Sequence, residues 1–186
     1  MKEFNAITAL VNYKLAPEHP GLAPFEDCWE GLVWFAKQAD RYGFDADRLL
    51  IAGASAGGGL AAAAAIMARD KGFPKLCGQI LLYPMLDDRG TARRLLIDST
   101  STTDRTRETM TNSASDVCCA TAGAPTPFPS LRHQPEQPTF WGLPPAYLEV
   151  GAAEPFRDSV VAYASMLWEH GVQAELLVFA GALHGF

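Results

Sequence analysis

A serine between two glycines is the feature of this sequence that most directly predicts chemistry. Gly53, Ser55 and Gly57 follow a short apolar run and precede an alanine-rich stretch from Leu60 to Arg69. The apolar run predicts a buried strand, and the alanine-rich stretch predicts a helix. In so tight a turn the serine backbone is strained, and we expect side chains two residues before and after it to collide. The turn would lift the hydroxyl clear of the sheet, which indicates a nucleophile.

The helix predicted after Ser55 would add an electrostatic contribution. Its first N–H groups and the positive end of its dipole would point at the reacting hydroxyl. The alternative is an ordinary glycine-rich connection between a strand and a helix, with no chemical role. The buried strand predicted before the motif and the small-residue helix predicted after it favour the nucleophile.

Composition and charge limit the class of protein. The chain has 186 residues, of which 48% are hydrophobic, so it can form one domain with a core. A formal net charge of −6 argues against binding to nucleic acid or to an anionic membrane surface. The sequence contains no apolar run long enough to span a membrane, and its first residues lack a signal-peptide core. We therefore expect a cytoplasmic protein, and the sequence does not indicate its oligomeric state.

Four cysteines are present, and none of them forms a Cys-x-x-Cys pair. Cys28 and Cys77 lie in apolar stretches and are predicted to be buried free thiols, whereas Cys118 and Cys119 are adjacent in a region without clear periodicity. The spacing supports neither a metal site nor a disulfide framework. We expect no metal and no cofactor.

Strands alternate with helices along the chain, which predicts an α/β doubly wound fold with a parallel sheet. Right-handed crossovers would bring the carboxyl ends of the strands to one edge, where such folds bind ligands. Apolar runs predict strands at Ala6–Asn12, Arg48–Ala52, Gly78–Tyr83, Ala146–Gly151 and Ala174–Phe179, and apolar spacing predicts helices at Pro24–Gln38, Gly58–Arg69 and Arg157–His170.

The segment from residue 90 to residue 139 lacks both periodicities. It is rich in serine, threonine and arginine at first and in proline later. A stretch of this length without regular structure is uncommon inside a compact domain. It is an inserted flexible lid, a disordered segment or sequence foreign to the fold. Apart from this segment, we expect a single domain over residues 1–186.

Several motifs resemble those of the hormone-sensitive-lipase-like esterases, the fold-3 group of the α/β-hydrolase fold. Asn12–Pro20 resembles their Y-R-L-A-P-E-H-P stretch, and Ser55–Gly58 resembles their serine turn. Val150–Asp158 resembles the strand and turn that carry the acid, and Gly181–Phe186 resembles the histidine turn. The motifs occur in the order of the family and cover most of the chain outside residues 90–141. The resemblance implies a mostly parallel sheet flanked by helices and a small-molecule ester as substrate.

The resemblance also implies a catalytic triad. Ser55 corresponds to the nucleophile, His184 to the general base, and Glu154 stands where the family usually has aspartate. The order serine, acid, histidine is that of the fold. Asp158 lies only four residues after Glu154 and is the alternative acid, although a role at the start of the next helix suits it better. Among the four histidines, only His184 follows a predicted last strand on a glycine-flanked turn.

The chain also departs from the family pattern. Ala54 replaces an aspartate of the serine turn, and no HGGG-type segment precedes Asn12. In the family that segment supplies amides of the oxyanion hole, so the N–H of Ala56 is the donor that remains. Without the strand that leads into it, the first predicted strand either moves beside Arg48–Ala52 or leaves this end of the domain loose. We expect a domain that lacks the N-terminal strands and the cap.

Two functional hypotheses are consistent with these motifs. The first is a serine carboxylesterase that cleaves small, mostly apolar acyl esters. The second is a catalytically impaired fragment or non-enzymatic remnant of such an esterase. An amidase or peptidase on the same fold is a third interpretation, since nothing in the sequence selects amides over esters.

Overall fold

The computed structural model describes residues 5–15, 17–19, 21–86 and 140–186. The irregular segment predicted at 90–139 lies outside these residues, as do Cys118, Cys119 and His133. The three residues of the predicted triad lie within them.

The described chain forms a parallel sheet with helices packed against it. Its strands are ordered β1-β2-β3-β4, and every neighbouring pair is parallel. The predicted architecture of a parallel sheet flanked by helices is confirmed. The helices are α1 (Ala23–Ala36), α2 (Ala39–Tyr42), α3 (Ala56–Lys71) and α4 (Arg157–Glu169), and the strands are β1 (Leu49–Ala54), β2 (Leu76–Leu82), β3 (Ala146–Gly151) and β4 (Ala174–Phe179).

Local sequence explains where the helices begin and end. A proline occupies the first turn of α1, where its missing N–H costs no hydrogen bond, and Glu26 in the same turn complements the helix dipole. Helix α3 ends at Gly72, whose φ of 67° stops the helix. No helix among the described residues has the length and apolar character that crossing a bilayer requires.

The core lies between the sheet and helices α3 and α4. Helix α3 buries mostly alanine and glycine, so its backbone can approach β1 and β2 closely. Helix α4 packs larger side chains against β3 and β4. Buried members of this core include Ala61, Ala62, Leu81, Leu148, Val150, Val160, Ala164 and Leu167.

The first predicted strand is wrong. The range Ala6–Asn12 forms no strand in the structure, and its side chains are exposed. The segment lies over α1 instead: the side chain of Val11 occupies the space beside Gly31, and Tyr13 packs against the buried cluster that contains Phe25. An apolar run becomes a strand only when a neighbour pairs with its N–H and C=O groups. Within the described residues β1 pairs with β2 alone, so this run has no strand partner.

An ion pair holds the end of this segment to α1. The backbone N–H and the side-chain ammonium of Lys14 both donate to the carboxylate of Asp27, at 2.8 Å and 2.9 Å. These hydrogen bonds lower the pKa of Asp27, and the same side-chain bond raises the pKa of Lys14. The pair is solvated, so it fixes the position of the segment more than it stabilises the fold.

The two cysteines of the described ranges differ from the prediction and from each other. Cys28 is half-buried on α1, and desolvation together with the charge of Asp27 raises the pKa of its thiol to about 11. Cys77 is exposed on β2 rather than buried, so the prediction is wrong for this residue.

Candidate active site

The predicted serine turn connects β1 directly to α3. Ser55 is the one residue between the strand and the helix, with φ of 53° and ψ of −119°. A non-glycine residue in this region costs on the order of 1–3 kcal/mol, so the surrounding structure must hold it there. Two backbone hydrogen bonds do so: Ser55 N–H donates to Leu82 at 2.9 Å, and the Ser55 carbonyl accepts from Met85 N–H at 3.0 Å. The hydroxyl makes no capping bond to α3 and lies within hydrogen-bond distance of His184.

The two glycines of the motif have different roles. A Cβ at Gly53 would lie 2.2 Å from the carbonyl oxygen of Gly57, so no side chain fits there. A Cβ at Gly57 would meet nothing within 4 Å. The expectation of a collision on both sides of Ser55 is therefore correct for Gly53 and wrong for Gly57. The turn brings the first residues of α3 against the end of β1. The backbone of the helix therefore leaves no room for a side chain at Gly53, whereas Gly57 has open space beside it.

Glu154 lies in the turn after β3 and is held there on both of its carboxylate oxygens. Oε1 accepts from Gly151 N–H at 2.6 Å, and Oε2 is in a short hydrogen bond with His184 Nδ1. The residue is 1% exposed, so both bonds lie away from water. Gly151 is required here because a Cβ would lie 2.3 Å from the carbonyl oxygen of Ala182.

His184 lies in the turn after β4, between Ser55 and Glu154. Its Nε2 is 2.8 Å from Ser55 Oγ. The histidine turn is hydrogen-bonded to the acid turn, since Ala152 N–H donates to Phe179 at 2.8 Å and Ala153 N–H donates to Ala182 at 3.1 Å. Hydroxyl, imidazole and carboxylate thus form one continuous line. Such a line can take a proton from the hydroxyl and stabilise the positive charge that then forms on the ring.

Ala56 is the first residue of α3. The first N–H groups of a helix have no partner within the helix, and they lie at the positive end of its dipole. The N–H of Ala56 immediately follows Ser55, where an oxyanion donor was predicted.

Asp158 is not part of this arrangement. It lies in the first turn of α4 with its side chain 74% exposed, paired with Arg157 at 2.8 Å.

The other described histidines lie away from the site. His19 is exposed, and His170 bonds the backbone of its own helix through Nδ1, 2.8 Å from the Met166 carbonyl. No group of three His, Cys, Asp or Glu side chains in the described ranges could hold a metal ion.

Sequence reasoning missed two aromatic residues that contact His184. The rings of Tyr83 and Phe156 meet the imidazole nearly edge to face, with centroids 4.9 Å and 5.1 Å away. They come from the ends of two other elements, so no local spacing links them to the histidine. In the sequence, Tyr83 is only the last residue of the predicted strand Gly78–Tyr83.

Comparison with known proteins identifies the same family along the whole chain. The family that matches is described as alpha/beta hydrolase fold, and the match covers residues 1–186. Carboxylesterase NlhH of Mycobacterium tuberculosis is 33% identical over 195 residues, which is 97% of this chain and 56% of that protein. Esterase LipI of the same organism is 32% identical over 98% of this chain and 56% of its own length. The chain therefore spans about half the length of these relatives.

Solved structures give the same result. Esterase LipW from Mycobacterium marinum is 40% identical in sequence over 94% of this chain and 53% of its own, with a TM-score of 0.76. A hyperthermophilic esterase from Pyrobaculum calidifontis is 32% identical over 94% of this chain and 56% of its own, with a TM-score of 0.75. The motifs, the parallel sheet and these similarities agree, and the chain belongs to the α/β-hydrolase fold family, in its hormone-sensitive-lipase-like, fold-3 group.

Proposed function

We propose that this chain carries the nucleophile, base and acid of a serine hydrolase that cleaves small carboxylic esters. Ser55 is the nucleophile, His184 the general base and Glu154 the carboxylate that orients the imidazole. The observation that carries the proposal is the unbroken hydrogen-bonded line from Ser55 Oγ through His184 to Glu154. The strained φ of Ser55 supports it, since strain of this kind is concentrated at functional sites.

In the first half of the reaction, Ser55 Oγ attacks the carbonyl carbon of the ester. His184 Nε2 takes the hydroxyl proton as the new C–O bond forms, and the carbonyl oxygen becomes an oxyanion. When the intermediate collapses, the bond to the alcohol oxygen breaks and Nε2 returns the proton to that oxygen. The alcohol leaves, and the acyl group stays on Ser55.

In the second half, water replaces the alcohol. His184 Nε2 takes a proton from the water as its oxygen attacks the acyl carbon, and the bond to Ser55 Oγ breaks when the proton is returned to the serine. The acid is released and Ser55 is regenerated. Glu154 keeps the Nδ1 proton in place and stabilises the imidazolium in both halves, and both of its oxygens remain hydrogen-bonded while it does so.

Ala56 N–H is the donor to the oxyanion that we assign within the described residues. It lies directly after the nucleophile at the start of α3, where the helix dipole adds to its effect. A single oxyanion donor contributes a factor of roughly 10²–10³ in kcat. The choice of esters as substrate rests on the relatives, two of which are named as a carboxylesterase and an esterase.

The proposal is tested by hydrolysis of p-nitrophenyl acetate and p-nitrophenyl butyrate together with labelling by a fluorophosphonate. We expect turnover of both esters and one label per chain. Ser55→Ala removes the nucleophile, so we expect kcat to fall by a factor on the order of 10⁶ and the label to disappear.

The matched control is Ser165→Ala. Ser165 lies on the exposed side of α4, where its hydroxyl donates to the Val161 carbonyl at 3.0 Å. This variant should be labelled and should turn over substrate like the unaltered chain. Equal rates in Ser55→Ala and the unaltered chain would refute the proposal, and a folded chain with neither label nor turnover would support the impaired fragment instead.

A further inference from the structure

Tyr83 contacts the site with both its backbone and its side chain. It follows the last residue of β2, and its φ is 37°. A bulky residue with positive φ is a genuine outlier, and it persists only where neighbouring contacts hold it. The contacts of Tyr83 with the segment that holds Ser55 and with His184 explain why this strained conformation is kept.

The backbone on either side of Tyr83 holds the serine turn. Leu82, just before it, accepts the N–H of Ser55, and Met85, two residues after it, donates to the Ser55 carbonyl. The N–H of Tyr83 itself donates to Glu149 on β3 at 2.7 Å. The strained residue thus lies at the centre of the segment that fixes the nucleophile.

The side chain of Tyr83 reaches a different part of the site. Its ring centroid is 4.9 Å from that of His184, at an interplanar angle of 75°. The ring also contacts Phe186, at 5.9 Å, next to the same turn. Phe156 contacts the imidazole as well, with its centroid at 5.1 Å and an interplanar angle of 68°. Hydrogen bonds hold Nδ1 and Nε2 of the imidazole. The imidazole can still tilt about the line that joins these two nitrogens, and the neighbouring aromatic rings limit that tilt.

We propose that Tyr83 is a positioning residue for His184: its ring sets the tilt of the imidazole while its strained backbone holds the turn of Ser55. The inference rests on the proposed function, because the geometry it maintains is that of the nucleophile and the base. A misplacement of about 1 Å between reacting groups can cost on the order of a hundredfold in rate. The ring performs this role, and the hydroxyl is not required.

Three variants test the inference. Tyr83→Phe keeps the ring and is the control. Tyr83→Ala removes the ring, and Tyr83→Gly removes the ring and also relieves the positive φ. Because glycine accepts this backbone conformation, Tyr83→Gly keeps the test usable if the alanine variant fails to fold. Thermal unfolding is recorded for each variant.

The first readout is activity. We expect the rate of fluorophosphonate labelling and kcat to fall roughly ten- to hundredfold in the alanine and glycine variants, with KM little changed. The phenylalanine variant should stay within about twofold of the unaltered chain. If Tyr83 acts on stability alone, Tyr83→Ala and Tyr83→Gly will unfold at a different temperature but will be labelled at the normal rate. That result would overturn the inference.

The second readout does not depend on turnover. The Nδ1–H proton of His184 gives a downfield NMR signal when it is held against Glu154, and loss of that signal in His184→Gln assigns it. The signal should persist in Tyr83→Phe and broaden or vanish in Tyr83→Ala and Tyr83→Gly. If the unaltered chain proves inactive but the signal responds in this way, the positioning role stands and the proposed function fails. A signal that is unchanged in all variants, or lost equally in Tyr83→Phe, would overturn the role of the ring.

Discussion

Two regions of the molecule carry the motifs of the family, and they are held in very different ways. The first is the strand-end cluster, which we define as the turns at residues 53–58, 82–85, 151–154 and 179–184. The second is the N-terminal segment, residues 5–15. Backbone hydrogen bonds join the turns of the strand-end cluster to one another, for example from Ser55 to Leu82 and from Ala153 to Ala182. The N-terminal segment is attached to α1 by the ion pair of Lys14 and Asp27 and by side-chain packing.

The physical reason for the difference is backbone pairing. In the strand-end cluster, each turn follows a strand or precedes a helix whose backbone is already paired, so its position is set by the sheet. The N-terminal segment has a sequence suited to a strand but no strand beside it within the described residues. We therefore expect single substitutions to have large effects in the cluster and small effects in the segment.

The largest effect is expected at the acid. Glu154→Gln keeps the shape of the side chain but removes the charge that holds the Nδ1–H tautomer of His184. We expect kcat/KM for p-nitrophenyl butyrate to fall by a factor on the order of 10⁴. The control is Asp158→Asn, whose solvated pair with Arg157 should matter little, so its rate should stay within about twofold. A large loss in Asp158→Asn and a small one in Glu154→Gln would reverse the assignment of the acid.

The second effect concerns stability and compares the two glycines around Ser55. Gly53→Ala forces a Cβ against the carbonyl of Gly57, a backbone atom that cannot move aside, so we expect a loss of about 3 kcal/mol in the free energy of unfolding. Gly57→Ala places its Cβ in open space within α3 and should be neutral or stabilising by up to about 1 kcal/mol. Urea denaturation measures both. Equal effects at the two positions would contradict the geometry of the turn.

The smallest effect is expected in the N-terminal segment. Asp27→Asn removes the ion pair with Lys14, and we expect a small decrease in melting temperature near pH 7 that shrinks in high salt. The pKa of Asp27 is lowered in the folded chain, so its contribution to stability is present above its usual pKa of 3.8 and is lost as the pH falls through the folded value. The difference between variant and unaltered chain should therefore vanish in acid.

The control for this prediction is Asp40→Asn, a change at an exposed carboxylate of α2. Melting curves of the three chains between neutral pH and acid give the comparison. If Asp27→Asn lowers stability as much as Gly53→Ala does, the N-terminal segment is as firmly integrated as the strand-end cluster, and the contrast between the two regions is wrong.

Most of the elements could be predicted from the sequence, because their signals are local. Strands β3 and β4 have the predicted bounds, and β1 and β2 are shifted by one or two residues. Helix α4 ends one residue early and is followed by Gly171, whose φ of 71° explains the stop. The strand predicted at Ala6–Asn12 failed because pairing is not a local property. The burial predicted for Cys77 also failed, since an apolar strand sequence does not say which of its residues other elements will cover.

The sequence by itself determined the family, the order of the elements and the candidates Ser55, Glu154 and His184, because glycine spacing, apolar periodicity and motif order are written along the chain. Only the tertiary structure decided that Glu154 rather than Asp158 meets the histidine, that Gly53 rather than Gly57 must lack a side chain, and that Tyr83 contacts the imidazole. The physical reason is the same in each case. These contacts join the ends of different strands, and distances between strand ends are set by sheet register and helix packing rather than by neighbouring residues.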